Sequence, residues 1–230
     1  MKLLLCSDFS NVGYKFLDKF KIDLHGKNCL FVGYAQDDEF ESESSAAVRL
    51  KSLGLNLIFL NKDYDFKDDI DLIFARGGNT TRLVHLLKQY NQFDKIKKLI
   101  ERDVIYVGNS AGAILVGKDT SWTLELEPYE FDLTKIYGKD ALLGYGLIDK
   151  LIFVHASRYR MARDSEKENP NEEYRVLERD YYSAYLNDLK NFKKGSYIRI
   201  GNNQAYFVDG NIQKCLTYRW NKIPVKLTDR

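Results

Sequence analysis

The run Val104-Ile105-Tyr106-Val107-Gly108-Asn109-Ser110-Ala111-Gly112-Ala113-Ile114 restricts the fold more than any other segment of the chain. Its first four residues form a short strand that is apolar on both faces, the pattern of a strand covered on two sides. A Gly-x-Ser-x-Gly turn follows, and then small and apolar residues able to begin a helix. A serine on so sharp a turn needs very small neighbours, and its hydroxyl stands clear of the backbone. The next amide, that of Ala111, points outward from a helix N-terminus, where the dipole favours a developing negative charge. The same glycine-rich turn also suits phosphate binding through its N–H groups. The strand before it and the alanines after it favour a serine nucleophile.

A second turn of the same kind precedes it. Ile73-Phe74-Ala75-Arg76-Gly77-Gly78-Asn79-Thr80 is again strand, glycines and helix start. Two consecutive glycines let the backbone approach a ligand closely. If both strands lie in one parallel sheet, both turns sit at its carboxyl edge, where ligands bind. Gly78 is then placed to give a second oxyanion hydrogen bond. Asn79 suits both the N-cap of the following helix and the rim of a substrate site.

The rest of the first half repeats the alternation. Strands are predicted at 3–6, 28–34, 55–60, 71–75 and 104–107, with helices at 43–53, 80–90 and 93–101. This implies an α/β fold, a mainly parallel, doubly wound, flavodoxin-like sheet flanked by helices. Further on, a strand at 151–154 leads into His155. A charged loop at 158–171 and a helix at 172–189 follow. Short strands are expected at 197–200, 205–208 and 212–216, with Asp209-Gly210 as a hairpin turn. At 230 residues, 44% of them hydrophobic, the chain suits one domain spanning 1–230.

With 35 basic and 33 acidic residues, the net charge of +2 offers no basic stripe for nucleic acid. Cys6, Cys29 and Cys215 lie far apart, without metal spacing or a disulfide pattern. The N-terminal apolar run is too short for a signal sequence, and no stretch is long enough to span a membrane, so a cytoplasmic location is expected.

A serine nucleophile needs a base. His25 lies in a polar turn and His85 in mid-helix; His155 closes an apolar strand. Of the three, His155 is the one expected to meet Ser110.

Together, Arg76-Gly77-Gly78-Asn79-Thr80, Gly108-Asn109-Ser110-Ala111-Gly112-Ala113 and the strand-end His155 resemble the dipeptidase E and cyanophycinase family of serine peptidases. These are relatives of the class I glutamine amidotransferases in fold. The resemblance covers most of the chain and weakens after His155. It implies Ser110 as nucleophile, His155 as base, Gly78 and Ala111 as oxyanion donors, and no metal or cofactor. Family members carry an acidic partner for the histidine. Glu125 and Glu127, in a strand expected after the elbow helix, can fill that place or simply face solvent. So can Gln204 in the late segment Gly201–Phe207, where the family usually shows Glu. A glutamine carbonyl can orient the imidazole but brings no charge to stabilise its protonated form.

The resemblance also places an arginine that receives an acidic substrate side chain in the helix after the histidine. Here Glu172 falls at that point and Arg175 one turn later. Glu172 equally suits the first turn of its own helix. The expectation is therefore a serine-type peptidase of small peptides, as monomer or homodimer, without strict preference for N-terminal aspartate. The alternatives are an amidase of non-peptide or branched amides, and a catalytically impaired homologue that keeps a binding pocket.

Overall fold

The computed structural model describes residues 1–36, 41–125, 138–156 and 195–218. Its centre is a seven-stranded sheet, with β1 at Lys2–Cys6, β2 at Asn28–Val32, β3 at Asn56–Phe59, β4 at Leu72–Ala75 and β5 at Ile105–Asn109. The last two strands are β8 at Gln204–Asp209 and β9 at Ile212–Thr217. The order across the sheet is β3-β2-β4-β5-β1-β8-β9. The first five strands are mutually parallel. β8 runs antiparallel to β1, and β9 antiparallel to β8. The expected α/β class and mainly parallel sheet are thus present, and the late hairpin closes one edge of that sheet.

Alternation along each strand sorts side chains to two faces. On one face Leu3, Leu5, Leu30, Val32, Ile73 and Tyr106 pack against α2 (Thr80–Gln89), α3 (Phe93–Glu101) and α4 (Ala111–Ile114). On the other, Leu4, Cys6, Cys29, Phe31, Leu72, Phe74 and Val107 meet α1 (Ser45–Ser52) and a 3₁₀ segment at Gly13–Phe20. That segment is not evident from hydrophobic spacing. Phe16, Leu17 and Phe20 are its buried face. Each fully buried leucine or phenylalanine contributes about 1.5–3 kcal/mol, so the two faces together fix the register of every central strand.

β6 (Leu151–Phe153) is not part of this sheet. It pairs in parallel with β7 (Tyr197–Arg199) in a separate two-stranded sheet. Ile152, Phe153 and Val154 still join the core on the α2–α4 side. The strand expected over Leu124 to Glu127 is not found where the chain is described. Ser121–Glu125 is a 3₁₀ segment instead, and Glu127 lies outside the described residues. So do the loop and helix expected from 158 to 189, including Glu172 and Arg175.

Candidate active site

Ser110 stands between β5 and α4 with φ 50° and ψ −107°, a conformation L-residues seldom adopt. The sequence around it explains how such a turn forms. A Cβ at Gly108 would lie 2.5 Å from the carbonyl oxygen of Gly112, and one at Gly112 would lie 2.2 Å from that of Ala75. The turn therefore closes only with glycine at both places. The Ser110 N–H donates to the carbonyl of Cys6 at 2.8 Å, tying the elbow to β1. Asn109 is fixed too, its Oδ1 accepting from the Phe9 N–H at 2.9 Å.

The glycine turn after β4 lies against the elbow. A Cβ at Gly77 would stand 2.9 Å from the Ser110 Cβ. Gly78 has φ 141°, and a Cβ there would lie 2.3 Å from the Ala35 carbonyl oxygen. Among the described residues, neither the Gly78 amide nor the Ala111 amide has an acceptor. Asn79 caps α2, with Oδ1 accepting from the Arg82 N–H at 2.7 Å, and its own N–H donates to Ala35 at 2.7 Å. This is the capping role that its position before the helix suggested.

The structure brings His155 to Ser110. The Ser110 Oγ and His155 Nε2 are 3.0 Å apart. On the far side of the ring, His155 Nδ1 lies 2.9 Å from the Asn202 Oδ1. A carbonyl oxygen only accepts, so this contact puts the ring proton on Nδ1 and makes Nε2 the acceptor that faces the serine.

Asn202 was not singled out in the sequence, and Gln204 does not occupy its place. The Gln204 side chain accepts from the Gly201 N–H at 2.9 Å and donates to Thr217 Oγ1 at 3.3 Å, on the β9 side of its strand. The reason is strand alternation and turn geometry: Gln204 already belongs to β8, whereas Asn202 sits in the turn before it. No local sequence signal marks Asn202. Its place follows from the parallel β6–β7 register, with Phe153 opposite Arg199, which sets His155 and Asn202 both just beyond the carboxyl ends of those strands.

This α/β scaffold brings together a strained serine elbow, a histidine within hydrogen-bond reach and two backbone amides that have no acceptor among the described residues. The chain belongs to Peptidase family S51, whose sequence pattern matches residues 3–208. It is 33% identical over 138 residues to peptidase E of Haemophilus influenzae strain Rd, an alignment spanning 55% of this chain and 62% of that protein. It is 25% identical over 203 residues to peptidase E of Shewanella amazonensis, covering 83% of this chain and 81% of the relative. In fold it is similar to a solved structure of a candidate peptidase E from Listeria monocytogenes EGD-e. The TM-score there is 0.68 at 21% identity, over 95% of this chain and 98% of the other.

Proposed function

We propose that the chain is a serine-type peptidase of small peptides in which Ser110 is the nucleophile and His155 its base. The observation that carries the reading is the 3.0 Å contact between Ser110 Oγ and His155 Nε2 at a residue held at φ 50°. The names of the relatives, peptidase E, supply the substrate class.

The chemistry runs as follows. His155 Nε2 takes the hydroxyl proton as Ser110 Oγ bonds to the scissile carbonyl carbon. The carbonyl oxygen becomes an oxyanion, received by the N–H groups of Gly78 and Ala111. The C–N bond then breaks as the imidazolium returns its proton to the leaving amine. A water, deprotonated by His155, attacks the acyl-serine. The acid leaves, and the proton goes back to Ser110. Asn202 holds the ring through Nδ1 during both steps.

The neutral amide of Asn202 is the specific observation behind a second reading, a homologue that binds peptides and hydrolyses them slowly. Glu172 and Arg175 stay in this proposal as candidates for the substrate side chain, while the place at Nδ1 that Glu125 or Glu127 was expected to fill goes in this reading to Asn202. The test joins fluorophosphonate labelling to hydrolysis of Asp-Xaa, Lys-Xaa and neutral dipeptides. An active peptidase labels at Ser110 and turns over at least one dipeptide class. Labelling without turnover, across peptides and other amides, supports the binding reading.

A further inference from the structure

We propose that Ser7 is a positioning residue for His155, a role that rests on Ser110 and His155 being the reacting pair. Ser7 is the first residue past β1 and is 2% exposed. Its Oγ accepts the His155 backbone N–H at 2.8 Å, and its hydroxyl proton goes to the carbonyl of Ile200, also at 2.8 Å. The hydroxyl is thus set between the end of β6 and the end of β7, its bond to Ile200 buried and its bond from His155 partly buried.

The bond matters because of where it falls. His155 has φ 56°, in the left-handed region that a residue with a side chain occupies at a cost of about 1–3 kcal/mol. Such a conformation lasts only where its surroundings fix it. The Ser7 oxygen holds the amide on one side of that torsion, and the Ala156 N–H, 3.1 Å from the Ile200 carbonyl, holds the next peptide. The ring direction follows from this backbone.

The preceding residue completes the link. The Cys6 carbonyl accepts the Ser110 N–H at 2.8 Å. Two consecutive residues at the end of β1 therefore anchor the nucleophile and the base. His155 comes from the small sheet and Ser110 from the large one, so Cys6-Ser7 sets the distance between them.

The probe is a fluorophosphonate, followed as a time course at several concentrations to separate the limiting labelling rate from the reversible affinity. Ser7→Ala should lower the limiting rate about 10–100-fold, since a misplacement near 1 Å costs about 100-fold. Its affinity and final labelled fraction should stay as in wild type. Ser7→Thr, which keeps the hydroxyl, should retain most of the rate. Where Ser7→Ala does not fold, the near-isosteric Ser7→Cys, a poorer acceptor, should still label several-fold more slowly. A wild-type limiting rate in the alanine variant, or in the cysteine variant when that one decides, overturns the role. So does a lower labelled fraction at unchanged rate, which is the mark of a purely structural serine. Labelling of Ser110→Ala as fast as wild type overturns the Ser110–His155 reading itself, and that outcome is distinct from every Ser7 result.

Discussion

Ser110 Oγ and His155 Nε2 meet at 3.0 Å although the strands that deliver them belong to different sheets. β5 lies at the centre of the seven-stranded sheet, and β6 pairs only with β7 among the described residues. The meeting is set by turns at the strand ends, both of which hold a residue with a side chain at positive φ. Ser110→Ala removes one oxygen beside alanines and glycines and leaves this frame intact. Its hydrolysis rate should fall by several orders of magnitude, as loss of a serine nucleophile does elsewhere, with the melting temperature within a few degrees of wild type. A mutant that hydrolyses at the wild-type rate would show that another group attacks.

The partner of the imidazole yields a prediction of opposite sign. Asn202→Ala removes the acceptor seen at Nδ1 and should slow hydrolysis about 10–100-fold. Asn202→Asp keeps the acceptor and adds a charge that stabilises the imidazolium, so the rate at neutral pH should rise tenfold or more; the reverse exchange in a protease triad costs about 10⁴-fold. Gln204→Glu should change the rate little, because Gln204 is engaged with Gly201 and Thr217. Steady-state kinetics of the three variants on one dipeptide decides among them. A large gain from Gln204→Glu would reverse the assignment.

The difference between Asn202 and Gln204 shows what was legible beforehand. The elbow, the Gly77-Gly78 turn and the parallel order could be read because each depends on local residue types: glycine where backbones touch, apolar runs where both faces are covered. His155 could be read as a strand end. Its route to Ser110 could not, since nothing in Leu151–Val154 distinguishes a strand of the main sheet from one of a separate pair. Asn202 depended on the β6–β7 register across more than forty intervening residues, and Ser7 on a contact between positions 7 and 155. Long-range pairing of this kind leaves no periodic trace. The strand expected over Leu124–Glu127 rests on alternation alone, and over four residues alternation does not separate a strand from the 3₁₀ segment that ends at Glu125.

Asp71 links the starts of β2 and β4. Its carboxylate accepts from the Asn28 N–H at 2.9 Å and from Lys27 Nζ at 3.0 Å, and its own N–H donates to the Asn28 carbonyl at 3.0 Å. Burial alone would raise its pKa; the Asn28 amide and the Lys27 ammonium outweigh burial and hold it below the usual carboxylate range. The stability from ionised Asp71 is therefore fully present above the unfolded-chain value of about 3.9. It is lost as pH falls through the lower folded value. Asp71→Ala should cost about 1–2 kcal/mol at pH 7. Asp71→Asn, which mimics the protonated group, should be less stable than wild type at pH 7, and the gap should narrow at pH 3. Urea midpoints at the two pH values measure this; a gap independent of pH would show that the charge contributes nothing.

Gly77 and Gly112 both press on the elbow, and the atoms they would strike predict different failures. A Cβ at Gly112 would lie 2.2 Å from the Ala75 carbonyl oxygen, which is backbone at the end of a buried strand. It cannot yield without moving β4, so Gly112→Ala should destabilise by several kcal/mol, beyond the usual 1–3 kcal/mol of overpacking. A Cβ at Gly77 would instead meet the Ser110 Cβ at 2.9 Å and the Asn109 Nδ2 at 3.0 Å. The Ser110 Cβ moves only with its own backbone, and the Asn109 carbonyl oxygen stands at 3.3 Å, so the strain falls on the elbow turn rather than on a central strand. The fold should survive Gly77→Ala with a loss of about 1–3 kcal/mol. The shift falls on the nucleophile, however, and on the amide of the adjacent Gly78. A displacement near 1 Å costs about 100-fold in rate, so a smaller one should lower kcat roughly 10-fold or more. Thermal denaturation paired with dipeptide kinetics separates the cases: Gly112→Ala should lose soluble folded protein, and Gly77→Ala should keep its melting transition and lose turnover. A Gly77→Ala enzyme with wild-type kcat would mean that the turn after β4 does not help to place Ser110.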